Sequence, residues 1–251
     1  VSISLFRLLT FAILILGKSK SNLFAEVKSL TMVTLDWSPY YGKNLKNQGV
    51  ITDIVKHAFQ GSYATSLDFM PWSRAMVMVE TGEYDILMGA YYTKERAQRY
   101  FVSDCIYSVK VRLATLSDSK ILSYSDLRDL SGYKIGVSHG FANSEVFDNA
   151  DYLTKDTAKN PLLNIRKLLT RRVDMIVVAE EVLNHQFTKS KKSDRKKLVF
   201  IDPILSINTL HIMASKKKDS NLLIIKDFNE GLRKIRENGT YASILKKHDF
   251  P

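Results

Sequence analysis

"GEYDILMGAYYTKERAQRYFVSD", residues 82–104, is the stretch whose reading decides the fold. Its apolar run, 84–90, reads as a buried strand bounded by Gly82 and a polar exit. Directly at that exit stand Tyr91, Tyr92, Thr93 and Arg96. An ordinary surface loop is one reading of such an exit. A ligand site is the other, because open α/β sheets bind ligands beyond the carboxyl ends of their strands.

Working outward, the run 29–37 reads as a strand, followed by a polar-aromatic turn from Asp36 to Tyr41. Ile51, Ile54, Val55, Ala58 and Phe59 recur at helical spacing. A second strand is expected over 66–71, and a second helix in "WSRAMVMVETG", with Gly82 as its C-terminal stop. Strand, helix, strand, helix, strand implies a parallel sheet with crossover helices. The pattern then restarts. Residues 108–116 alternate as a strand. "KIGV" is a further buried strand, and Gly140–Ser144 are expected to open a helix after it. A helix carrying Leu163, Ile165, Leu168 and Leu169 leads into the strand "VDMIVV", and "KLVFID" and "TLHIMAS" read as two late strands. The tail is helical, with Leu222, Ile225, Phe228, Leu232 and Ile235 as its apolar stripe and Gly239 as its break. The expected class is α/β: two successive lobes, each a mixed sheet flanked by helices. Two extended crossings near 110–115 and 203–210 join them, and a cleft between lobes is a favoured ligand site.

Composition supports this and excludes other classes. The chain has 251 residues, 45% of them apolar and 25% charged, with 11 glycines and 5 prolines, so a core is expected rather than a disordered or fibrous chain. The formal charge is +11. Residues 1–25 carry Arg7 and then the apolar run 8–16, too short for a membrane span of ~20 residues and patterned as a secretory signal. Removing that segment takes away Arg7, Lys18 and Lys20 and leaves +8 from +11. Much of the remainder sits in "KSKKSDRKK", 189–197, which reads as a solvated loop and not as a nucleic-acid surface, since no aromatic is interleaved. The single cysteine, Cys105, allows neither an intrachain disulfide nor a thiolate zinc site, and no spacing calls for a metal or cofactor. Export with one cysteine fits a bacterial periplasm.

With "SPYYG", "PWSRAM", "DLRDLSGYKIGVSHG", "LLTRRVDMIVV" and "ENGTYASILKKH" beside the opening stretch, the chain resembles the bacterial extracellular solute-binding proteins of family 3. The resemblance runs from about residue 30 to the end. It implies a type II periplasmic-binding-protein fold, with lobe 1 formed by 26–110 and 206–251 and lobe 2 by 111–205. It implies a periplasmic receptor that closes on a small solute and delivers it to an ABC permease. A membrane sensor protein as the partner is the alternative, and a dehydratase-like enzyme on the same fold a more distant one, with Glu180, Glu181 and Asp36 as its acids.

The resemblance also assigns residues. The Arg of T-x-E-R, Arg96, would grip a carboxylate, a task suited to a planar guanidinium. Tyr40 or Tyr41 would stack on the solute. Gly89 would let it approach the backbone, and Tyr91 stands where a smaller hydroxyl residue is usual. Trp72 and Arg74 lie near the same edge. Gly140, Phe141 and Ala142 would offer backbone N–H groups at a helix start, with Asn143 beside them. Asp174 would be structural. An aspartate five residues further on usually holds the solute's amine; Ala179 stands there instead, followed by Glu180. Either Glu180 substitutes, with Asp36 as an opposing amine partner, or the solute lacks an ordinary α-amino group.

Overall fold

Strand β1 (Lys28–Thr34) lies between β2 (Tyr63–Phe69) and β3 (Ile86–Tyr91), parallel to both. The connections are helices α1 (Val50–Ala58) and α2 (Trp72–Thr81). A short helix α3 (Lys94–Arg99), strand β4 (Tyr100–Val102) and the long β5 (Tyr107–Leu116) follow. The second unit repeats the arrangement. β6 (Lys134–Ser138) lies between β7 (Thr154–Ala158) and β8 (Met175–Ala179), again in parallel, with α4 (Glu145–Asp148) and α5 (Pro161–Leu169) on the connections. Helix α6 (Glu180–Lys189), the strand β9 (Leu198–Ser215) and helices α7 (Asn221–Glu237) and α8 (Thr240–Lys247) complete the chain. This computed structural model describes residues 28–189 and 197–251. The leader expected over 1–25 and most of the basic run, 190–196, lie outside the described residues.

Strands β5 and β9 serve both units. The strand path is β2-β1-β3-β9-β5-β8-β6-β7. The C-terminal half of β9 pairs with β3, and the C-terminal half of β5 pairs with β8, all antiparallel. Each unit is therefore a parallel trio closed by an antiparallel strand that belongs to both. Between Val111↔Ser206 and Leu113↔Ile201 the register shifts, so Arg112 faces the bulge 202–205. That bulge is where one unit gives way to the other.

Burial explains why the trios form. Met32, Val33, Ile86, Leu87 and Met88 are fully buried, as are Val50, Ile51, Ile54 and Val55 on α1. Each large side chain so buried is worth ~1.5–3 kcal/mol. Ile225, Phe228, Leu232 and Ile235 form the buried stripe of α7, but Leu222 is exposed, one turn too early for the core. Gly231 lets α7 meet α1 closely: a Cβ there would fall 1.8 Å from the Ala58 carbonyl oxygen. An aspartate anchors each trio. Asp85 accepts from the Thr31 N–H and hydroxyl at 2.8 Å, and Asp174 from the Lys134 N–H at 2.7 Å. Asp174 is thus structural, as the resemblance implied.

Three elements differ from expectation. β2 begins at Tyr63 and ends at Phe69, earlier than the expected 66–71. "KLVFID" and "TLHIMAS" belong to one strand, β9, because Pro203 sits in the bulge, where no ladder N–H is required. Gly140–Ser144 do not open a helix; α4 starts at Glu145 with Ser144 as its cap, and spans four residues.

Candidate functional site

Two residues after β3, Thr93 caps α3: its hydroxyl accepts from the Arg96 N–H at 3.0 Å. The T-x-E-R spacing thus fixes Arg96 in the first turn, with its side chain turned back toward the end of β3. Arg96 is only 7% exposed. One guanidinium nitrogen donates to the Tyr91 carbonyl at 2.8 Å and another to the Gly140 carbonyl, across the seam between the units, at 3.1 Å. The guanidinium lies 5.5 Å from the Trp72 ring, and the Trp72 indole N–H donates to the same Gly140 oxygen at 3.1 Å. Burial pulls the Arg96 pKa below its ordinary value, yet a guanidinium remains protonated at neutral pH. Among the described residues it makes no ion pair; its partners are carbonyl oxygens.

The seam holds a cavity of about 20 Å³. Tyr41, Trp72, Gly89, Tyr91, Arg96, Phe141 and Ala142 line it as expected, joined by Leu35 and Trp37. A second cavity of similar size continues from it, lined by Trp37, Tyr91, Phe141, Ser138 and Asn143, with Val111, Pro161, Val177, Val178 and Ala179 as its apolar wall. Each has room for about one water. Outside lies a groove of about 860 Å³ that Trp72 shares with Asp36, Lys43, His139 and Lys159.

Several residues take other roles than expected. Gly89 has φ +77°, and a Cβ there would fall 2.4 Å from the Tyr41 ring. The glycine makes room for that ring, whose hydroxyl donates to the Gly89 carbonyl at 2.9 Å. Tyr40 lines neither cavity. Its hydroxyl donates to Glu181 at 2.5 Å, and its ring packs on Trp37, Tyr107 and Phe250. Burial first, and Glu181 second, push the Tyr40 pKa far up, so it acts as a donor. Arg74 is exposed and lines none of these cavities among the described residues. Glu180 lines neither cavity and lies 3.6 Å from Arg112. Asp36 sits in the outer groove. The backbone donors of 140–144 are partly spent: the Phe141 N–H goes to Ser138 and the Asn143 N–H to Asp148. The Asn143 carbonyl accepts from Ser206 and Asn208 on β9.

Trp37 was absent from the expected set. Its ring faces Tyr91 at 5.8 Å and Phe141 at 6.0 Å, edge-on to both. Among the described residues its indole N–H and the Tyr91 hydroxyl are buried without a hydrogen-bond partner. The available signal was its place before Ser38-Pro39, where the chain turns back and bridges Trp37 to Tyr41.

Two lobes sharing a pair of continuous strands, with a buried cation and aromatic rings in the seam, define a type II periplasmic-binding-protein fold. The chain belongs to the bacterial extracellular solute-binding proteins, family 3, whose family model matches residues 31–250. It is 25% identical over 246 residues to the arginine-binding extracellular protein ArtP of Bacillus subtilis (strain 168), covering 95% of this chain and 93% of that protein. Among solved structures it resembles an arginine third transport system periplasmic binding protein from Legionella pneumophila (TM-score 0.75, 21% identity, 88% of this chain and 99% of that one). It also resembles a histidine kinase sensor domain similar to periplasmic binding proteins (TM-score 0.78, 18% identity, 88% and 96%). Among the described residues no helix is long and apolar enough to cross a membrane, and no cluster of three or more His, Cys, Asp or Glu is placed to hold a metal.

Proposed function

We propose that the protein is a periplasmic receptor that closes on a small carboxylate-bearing solute, such as an amino acid or a related acid, and passes it to an ABC permease. It acts as a binder and not as an enzyme. The single observation that carries this reading is Arg96: a buried guanidinium in the inter-lobe cavity whose partners among the described residues are backbone carbonyls alone. A buried charge without a counter-charge is costly. A carboxylate that displaces the Gly140 carbonyl would supply one, in bidentate geometry. Lobe boundaries at 110/111 and 205/206, and export through a cleaved signal over 1–25, complete the reading.

The test is a thermal-shift screen of amino acids, organic acids and amines. A ligand that binds only the folded state raises Tm by mass action. Arg96→Ala is expected to abolish the shift for carboxylated ligands. An undiminished shift removes Arg96, and with it the proposal. A sensor partner is distinguished by reconstitution: uptake into vesicles with permease and ATPase supports transport, whereas a solute-dependent change in a kinase's activity supports sensing.

A further inference from the structure

We propose that the solute is an acid with a hydroxyl or oxo group, and no ammonium, beside its carboxylate. This rests on the receptor reading above and deepens it. Trp37 and Tyr91 are 5% and 7% exposed, line both cavities, and among the described residues hold their polar atoms without a hydrogen-bond partner. An indole N–H can only donate, so a solute that fills this space and displaces water must offer it an acceptor; a phenol does either. An unmet buried donor is costly, which makes such a pair discriminate strongly.

Among the described residues the cavities contain no carboxylate to receive an ammonium charge: Arg96 is the only charged residue lining them, and neither is lined by Asp or Glu. The wall facing Tyr91 is apolar at Val177, Val178 and Ala179. Of the nearby carboxylates, Glu181 is committed to Tyr40 and Glu180 to Arg112, while Asp36 is exposed to solvent in the outer groove and lines neither cavity. An ammonium here would lose its hydration and sit beside a guanidinium and an N–H donor. A hydroxyl or oxo oxygen would accept the Trp37 hydrogen bond at no such cost. The aromatic rings attract cations, but Arg96 in the same space opposes that.

Calorimetric titration of the exported protein with matched acids tests this. The probes are L-lactate, pyruvate, propionate and L-alanine; L-3-phenyllactate, phenylpyruvate, 3-phenylpropionate and L-phenylalanine; L-malate, succinate and L-aspartate; and L-arginine and L-histidine. In the preferred skeleton, the hydroxy or oxo acid is expected to bind at least about tenfold more tightly than the amino acid. Tyr91→Phe and Trp37→Phe should each cost about tenfold for the oxygenated acid and little for the unsubstituted one. Circular dichroism confirms their folding, and Tyr91→Phe alone suffices should Trp37→Phe fail to fold. An amino acid that equals or exceeds its oxygenated counterpart, and is lost in Arg96→Ala, overturns this inference and leaves the receptor reading standing. Tight binding that survives Arg96→Ala, or no binding by any probe, overturns both.

Discussion

At the scale of single residues, the seam is organised by what each side chain cannot satisfy alone. Arg96 was legible from the resemblance carried by T-x-E-R at the exit of an apolar strand; that Thr93 caps α3 and holds Arg96 in its first turn is what the structure adds. Trp37 was not legible. It ends a run that alternates like a strand, but β1 stops at Thr34 and the chain folds back, which sends the ring into the seam. Gly89 has a packing role that its sequence position does not show. Its neighbour is Tyr41, so Gly89→Ala forces both a left-handed backbone on an L residue and a Cβ into that ring. A loss of about 2–4 kcal/mol in denaturant unfolding is expected. The double variant Gly89→Ala/Tyr41→Ala should be more stable than the sum of the single losses implies, because the steric part vanishes. Strictly additive losses would refute the packing account.

At the scale of elements, helices with a full apolar stripe were readable and short or polar pieces were not. α3 has six residues, too few to show periodicity. β7, "TKDTA", has no apolar alternation because it is an edge strand held by backbone pairing with β6. β9 reads as two strands because Pro203 interrupts it, and only the partner strand β5 shows its continuity. The junction of α1 and α8 was also unreadable, since it depends on a contact across nearly the whole chain. Asp53, 4% exposed, accepts from Lys247 at 3.0 Å, His248 at 2.9 Å and Asn47 at 2.8 Å, with His57 at 3.4 Å from its other oxygen. Burial alone would raise its pKa, but the hydrogen bonds outweigh burial and lower it. A lowered folded pKa gives stability that is present above the unfolded value, about 3.9, and lost as pH falls through the folded one. Asp53→Asn should therefore be less stable at pH 6 and should lose less stability than the wild type on acidification below about pH 4. Thermal melts across that range check this, and equal acid slopes would count against the clamp.

At the scale of the whole molecule, the proposed receptor function depends on how two lobes sharing two strands would open and close. A βαβ alternation that restarts midway was enough to expect two lobes. Which side chains meet across the seam was not readable, because those contacts join residues far apart in sequence. Tyr40 and Glu181 are 141 positions apart, and their hydrogen bond ties the turn after β1 to α6. Contacts of this kind exist only when the lobes are together, so they set the balance between open and closed forms. A hydrogen bond to a charged group contributes ~1.5–3 kcal/mol, and removing its donor leaves Glu181 half-buried without that partner. Tyr40→Phe keeps the ring on Trp37 and Phe250 but removes the donor. The variant should populate the open form more than the wild type does, and small-angle scattering should report a larger radius of gyration without solute. Saturating solute should restore the wild-type value, because solute contacts add to closure independently of Tyr40. Identical scattering from both proteins would mean that this hydrogen bond does not govern closure, and would leave that role to the grip of Arg96 and Trp72 on the Gly140 carbonyl.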